Sequence, residues 1–310
     1  MPKISNSQNT AISEKQIDLV EIYKIIFQRK WFVILLALIF STTSLIFSYS
    51  LPNLYKSSAL LASSASNSAS RGFLNNFNKL SDFTGINIPT QSSNSNADKA
   101  FETLTSASFF EENIFPYIFL PDLMAIKSWN HQSNSMVYDE TIFDISSKKW
   151  IREFSYPQHQ IPSAQESYDV FMKNFILERD AASGFIKLSY THQSPFIAKQ
   201  WIQLIIEKIN LYYRNKDKLE SEAALAYLEQ QMLKTNYTEI KQAIAELIQL
   251  ETQKLALIEV SDRYVFDFIV TPIIPEKPSQ PNRLLIILSG LFIGTAFAIS
   301  IVLIRSRNLP

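Results

Sequence analysis

Two uncharged apolar runs near opposite ends of the chain constrain it more than any other feature: WFVILLALIFSTTSLIFSYSL at residues 31–51 and LLIILSGLFIGTAFAISIVLI at residues 284–304. Each is 21 residues long, enough to cross a hydrocarbon core of ~30 Å as a helix. The competing reading of the first run, a cleaved signal peptide followed by small residues, is disfavoured because the run exceeds a signal h-region and about 30 residues precede it. Two crossings tie everything between them to one side of a membrane. Lys24, Arg29 and Lys30 precede the first run and Arg305 and Arg307 follow the second, which predicts both termini on the cytoplasmic side. The resulting layout is a cytoplasmic segment 1–30, a first span 31–51, an extracytoplasmic domain 52–282, a second span 284–304 and a tail 305–310.

Gly290, Gly294 and Ala298 recur every four residues in the second span and place small side chains on one helix face, the pattern by which two membrane helices approach closely. The hydroxyls of Ser41, Thr42, Thr43, Ser44 and Ser48 in the first span could bond across such a contact. Ahead of the first span, Asp18 and Glu21 read as a capping box, with Val20, Tyr23, Ile26 and Phe27 at helical spacing behind it. A short amphipathic helix on the membrane surface is predicted there.

The domain of about 230 residues between the spans is long enough for a sizeable core. Residues 55–62, 141–146, 184–191 and 263–270 read as strands, and 96–115 and 163–178 as helices, the second capped by Ser163 and Glu166. The expected fold class is α+β. Residues 62–97, rich in Ser and Asn, read as a long loop, and 116–140 as irregular. From Ser194 as N-cap and Pro195 as first helical residue, no Gly or Pro follows until Pro272, so about 40 residues of helix, roughly 60 Å, run to Thr235. Asn236 and Tyr237 offer a weak break. Ile240, Ile244, Leu247, Ile248, Leu255 and Ile258 then form a second apolar stripe, and Ile205, Ile209, Tyr212, Leu219, Ala223 and Ala226 keep an approximate heptad in the first helix. An element this long predicts an arm or hairpin (194–258) on an α/β base (52–193 and 259–270); helices folded back on the base are the alternative.

Prolines 272, 275, 278 and 281 punctuate residues 271–282. Three-residue spacing matches the turn of polyproline II, so all four rings would line one edge of a rod about 28 Å long. A stiff strut between domain and second span is the favoured reading, against a docking ligand for a proline-reading module or a plain linker.

Signs of chemistry are meagre. The five glycines cannot build a P-loop. There is no cysteine, hence no disulfide or thiol chemistry, and His131, His159 and His192 stand in unrelated segments without metal-ligand spacing. No cofactor or metal is expected. Glu111 and Glu112 diverge on a helix, and the Ser-rich stretch 57–70 has hydroxyls without an activating base. The tyrosines at 212, 213, 227 and 237 could stack on sugars, though packing is the simpler role. A formal net charge of zero gives no sign of a nucleic-acid partner.

The succession IDLVEIYKIIFQRKW, LPNLYKSSALL, LSYTHQSPFIAKQWIQLI, LEQQMLKTNYTEIKQAIAELIQLETQKLALI and VFDFIVTPIIPEKPSQPNRLLIILSGLFIG resembles the Wzz family of chain-length determinants, the polysaccharide co-polymerases of Gram-negative inner membranes. PIIPEKPSQPNR is its most specific part, and residues 62–163 match loosely. The resemblance implies a periplasmic α/β base with a long helical extension, a ring-shaped homo-oligomer, and no catalytic residue. It also implies control of the modal length of O-antigen made on lipid-linked polysaccharide by a separate membrane polymerase. Enterobacterial common antigen and capsule are alternative glycans. An adaptor for an export or tyrosine-autokinase complex, or a sensor, would want a cytoplasmic module that SRNLP does not supply.

Overall fold

A computed structural model describes residues 27–64 and 96–307. The predicted surface helix before the first span and most of the loop 62–97 lie outside these residues. The chain forms two compact units, one from each end (1–52 with 280–310) and one of residues 53–279.

The terminal unit holds α1 (Lys30–Ser50), and the helix that closes the described chain, Arg283–Arg307, packs beside it. Both are long and apolar enough to cross a membrane, and little of either is buried by protein. Where they touch, Ala37, Ser48, Ala298 and Val302 are buried.

The middle unit is α+β. Its four-stranded sheet is antiparallel throughout, built from β1 (Tyr55–Ser63), β6 (Phe175–Arg179), β7 (Ile186–His192) and β8 (Phe266–Val270) in the order β6-β7-β1-β8. Between β1 and β6 come α2 (Asn96–Thr103), α3 (Ala107–Phe109) running on through a π turn (Phe110–Ile114) and a 3-10 turn (Phe115–Tyr117), and α4 (Leu120–Met124). Two hairpins follow, β2–β3 (Ile126–Asn130 with Ser135–Tyr138) and β4–β5 (Phe143–Asp144 with Lys149–Trp150), then α5 (Ala164–Asn174). After β7 the chain enters α6 (Pro195–Lys234) and returns through α7 (Thr238–Val260) to β8; Arg283–Arg307 is α8.

The core lies between the sheet and the first half of α6. Ile197, Trp201, Ile202, Ile205 and Ile209, at helical spacing, meet Leu61, Leu188 and Tyr190. Trp201 sits among the rings of Phe171, Tyr190 and His192 at 5.1–5.8 Å. Such tilted aromatic clusters add pairwise attraction to their large buried area.

Three expectations need correction. Residues 175–178 are strand, not the end of a helix: α5 stops at Asn174 and the next residue is extended. Ile176 and Leu177 gain more by pairing with Ser189 and Leu188 of β7 than by continuing a helix. The stretch 116–140 contains α4 and the β2–β3 hairpin, whose turn uses Asn134 at φ 48°, a left-handed conformation that Asn tolerates. The strand read at 141–146 shrinks to two residues, Phe143 and Asp144, because Asp144 turns the chain by accepting from the Ser146 amide and the Ser147 hydroxyl.

Candidate functional site: the helical arm and its anchorage

No group of three or more His, Asp or Glu among the described residues could hold a metal. His131 stacks on Trp129, the His159 carbonyl accepts from Arg152, and His192 is buried, so the three histidines serve three separate places. Glu111 and Glu112 are exposed in the π turn.

The longest helix of the middle unit belongs to the arm. Ser194 caps α6 by accepting from the Ile197 amide, and Pro195 starts it. The helix breaks at residues 235–237 and α7 returns antiparallel, with Arg214 beside Asp262 at 3.7 Å and Lys218 paired with Glu259. On α6 the inner, half-buried to buried positions beyond the base are Asp217, Lys218, Ser221, Ala224, Leu225, Leu228, Gln231 and Met232. On α7 they include Ile244, Leu247, Ile248, Glu251, Leu255 and Ile258. Both sets alternate in steps of three and four, the seam of a two-helix coiled coil.

The face read from the sequence for α6 is therefore right only as far as Tyr212. Leu219, Ala223 and Ala226 point away from α7 and are exposed. With Tyr227 (61 % exposed) and Leu233 (86 %) they leave an apolar stripe on the outside of the arm. Tyr213 is held by packing and by a 2.8 Å hydrogen bond with Thr103, and Tyr212 packs on Phe109, whereas Tyr227 and Tyr237 are exposed.

Buried polar groups that sequence reasoning missed fix the root of the arm. Asn210 accepts from the Val265 and Phe266 amides at 2.7 and 2.9 Å and donates to the Ile206 and Phe266 carbonyls at 2.9 and 3.1 Å. It thereby stitches α6 to the start of β8. Asp217 accepts from Asn96 and from the Tyr264 hydroxyl, both at 2.6 Å. Burial, reinforced by that bond to the carboxylate, pushes the Tyr264 hydroxyl far above the usual tyrosine range.

His192 accepts at Nδ1 from the Ser194 amide, at the cap of α6, and its Nε2 lies 2.9 Å from the Asp122 carbonyl, to which it donates as the neutral ring. Burial lowers its pKa. The Asp122 carboxylate accepts from the Tyr138 hydroxyl at 2.5 Å, and burial pushes its pKa up against that bond. The available signal was Asn210 within the apolar run of α6 and His192 at the end of the apolar strand before it; Asp122 and Asp217 lie in stretches with no apolar pattern to interrupt.

Residues 271–282 take no helix or strand. Pro272 is buried, Pro275 and Pro281 are half-buried and Pro278 is exposed. The segment bends at Glu276 and Lys277 and is tied along β1, with Ser57 Oγ donating to the Ile273 carbonyl and the Ser279 amide to the Leu54 carbonyl, both at 2.8 Å. The Gln280–Pro281 peptide bond is cis. A straight rod with four rings on one edge is therefore replaced by a bent strap, because β1 offers partners to its carbonyls and amides.

In the terminal unit, a Cβ added at Gly290 would meet Ser44, its Cβ at 2.5 Å, and one at Gly294 would meet Phe40 Cβ at 2.7 Å and Ala37 Cα at 3.1 Å. Phe40 and Phe297 lie 5.8 Å apart. Thr42 and Thr43 do not bond across the pair: their hydroxyls donate to the Leu38 and Ile39 carbonyls of their own helix, the local acceptor that Ser and Thr find most readily within a helix.

Fold and site together define a chain with two helices long and apolar enough to cross a membrane and an α+β unit with a long antiparallel helical hairpin. Residues 15–114 match the family model described as Wzz, chain length determinant protein, so the similarity to Wzz chain-length determinants holds over that stretch. Solved structures that the chain matches include a full-length bacterial polysaccharide co-polymerase (12 % identity, 94 % of this chain and 98 % of that one, TM-score 0.40). They also include a fragment of the WzzB polysaccharide co-polymerase of Salmonella Typhimurium (12 %, 74 % and 100 %, 0.32) and a mutant of the Shigella flexneri lipopolysaccharide O-antigen chain-length regulator WzzB (13 %, 73 % and 100 %, 0.23). No curated protein matches the chain.

Proposed function

We propose that the chain is a non-enzymatic scaffold of a bacterial inner membrane that sets the modal length of O-antigen. In this reading α1 and α8 cross the membrane with both termini cytoplasmic, and residues 53–279 stand in the periplasm. Several copies assemble into a ring and act with a membrane polymerase on lipid-linked polysaccharide. Gly290, Gly294 and Ala298 serve as the packing face of the spans, and Pro272, Pro275, Pro278 and Pro281 hold the strap that joins sheet to second span.

One observation carries the reading: a hairpin of 40- and 23-residue helices whose outer face keeps Leu219, Tyr227 and Leu233 uncovered, on a chain whose residues 15–114 match the chain-length determinants. A solvent-facing apolar stripe of that length is a cost unless something covers it, and neighbouring arms in a ring would do so. The test is a gel profile of the host's surface polysaccharide with the gene deleted and then restored. A cluster of bands at one length should collapse to an unregulated ladder and return on complementation. A ladder untouched by deletion overturns the O-antigen assignment.

A further inference from the structure

The middle unit carries an aromatic patch at the first residue of β1. Tyr55 opens β1, opposite His192 in register, and its ring stands edge-on to Trp129 of β2 at 5.5 Å. His131 stacks over Trp129 at 5.5 Å, and Phe196, on the first turn of α6, lies 6.3 Å from it. Four rings from three elements thus form one patch, in which His131 and Phe196 are exposed. Its polar edge is supplied by the Trp129 indole, which donates to Asn134, and by the Asn130 side chain, which accepts from the Gln132 and Ser133 amides. Across residues 55–58, 126–135 and 195–199 the charged side chains are Lys56, Lys127 and Lys199, all basic, and the acid in range of Lys127 is Asp139, just outside these segments.

The position of the patch along the chain is telling. The Leu54 carbonyl accepts both the amide and the hydroxyl of Ser279. Leu54 follows the last residue of α1 by four positions, and Ser279 precedes the first residue of α8 by four. Five steps of chain thus join Tyr55 to the last residue of α1, and four join Ser279 to the first residue of α8. At the extended limit of ~3.6 Å per residue, Tyr55 stands within about 18 Å of the end of α1.

We propose that this patch contacts the bilayer surface, with Trp129, His131 and Phe196 at the headgroup layer and the lysines facing anionic lipid phosphates. Rings with an apolar body and a polar edge concentrate at that depth, and cations near a span end are drawn to anionic headgroups. The inference rests on the reading of α1 and α8 as membrane spans.

The chain has no cysteine, so single cysteines report cleanly. Gln132→Cys in the hairpin turn, Asn236→Cys at the arm tip and Phe47→Cys in α1 would each carry an environment-sensitive fluorophore. The full chain is placed in nanodiscs of phosphatidylglycerol and phosphatidylethanolamine containing nitroxide-labelled lipids. Headgroup nitroxide should quench the 132 label several-fold more than the 236 label. Trp129→Ala with Phe196→Ala, or exchange of the anionic lipid for a zwitterionic one, should reduce that difference. A 132 label as open to aqueous iodide as the 236 label, with the 47 label quenched by acyl-chain nitroxide, overturns the inference alone. A 132 label shielded from iodide yet not quenched by lipid also overturns it, since protein then covers the patch. An unquenched 47 label removes the spans and the inference with them.

Discussion

Asn210→Ala is the sharpest single perturbation of the arm's root. Asn210 is buried and makes four hydrogen bonds, three of them to β8 or the residue before it. Alanine takes the acceptor from two amides and the donor from the Phe266 carbonyl, with Phe266 itself fully buried. Each buried group so deprived costs about 1–3 kcal/mol, and alanine returns about 0.5 kcal/mol of helix propensity. Taking the low end for each of the three groups, a net loss of about 3 kcal/mol follows, a large share of the ~5–15 kcal/mol that holds a domain folded. Native-state hydrogen exchange on the full chain in nanodiscs should show the Val265 and Phe266 amides and the first half of α6 losing protection roughly a hundredfold. Leu219→Ala, at an exposed site, should change it little. A loss under about 1 kcal/mol for Asn210→Ala would refute the claim that this residue anchors the arm.

Other perturbations address the remaining parts. Ile258→Ala, at a seam position that is 1 % exposed, should cost about 2–4 kcal/mol and speed exchange along α7, whereas exposed Leu257→Ala should not. Gly290→Val should lower the melting temperature of the chain in nanodiscs by colliding with Ser44, and Ser44→Gly in the same chain should restore part of it; additive losses would contradict the packing. His192 is held below the ordinary histidine range by burial, so the fold favours its neutral form. That contribution is complete above about pH 6.5 and is lost as pH falls toward the folded-state pKa. Asp122, shifted up by burial, gives the opposite slope in the carboxylate range, so the comparison belongs between about pH 7.5 and 5.5. There the wild type should lose stability on acidification and His192→Gln should lose less, as read by thermal melts at each pH.

The elements legible in the sequence were those whose signal is local and unopposed. Both apolar runs became helices, and the Ser194–Pro195 cap and the break after Lys234 delimit α6. Residues 175–178 misled because ILE reads equally as helix or strand; pairing with β7 decides, and pairing is not local. The outer stripe of α6 misled for a related reason. Its heptad residues sit on the core face through Tyr212, but the partner changes from sheet to α7 beyond the base, and the buried face shifts to Ser221, Leu225 and Leu228. Asn210 and His192 could be seen as polar intrusions in apolar stretches, but their partners Phe266, 56 residues away, and Asp122, 70 residues away, are set by topology. The proline period told of an extended segment; its strap-like course was set by Leu54 and Ser57, over 200 residues away.

The most direct test of a length-setting scaffold is the mass-resolved length distribution of surface polysaccharide in a strain lacking the gene, complemented with the wild-type chain or with Leu219→Glu, Tyr227→Glu and Leu233→Glu together. The account predicts a narrow mode restored by the wild type and a broadened or shifted one with the charged stripe, at equal membrane abundance. A distribution indifferent to both deletion and complementation would contradict it.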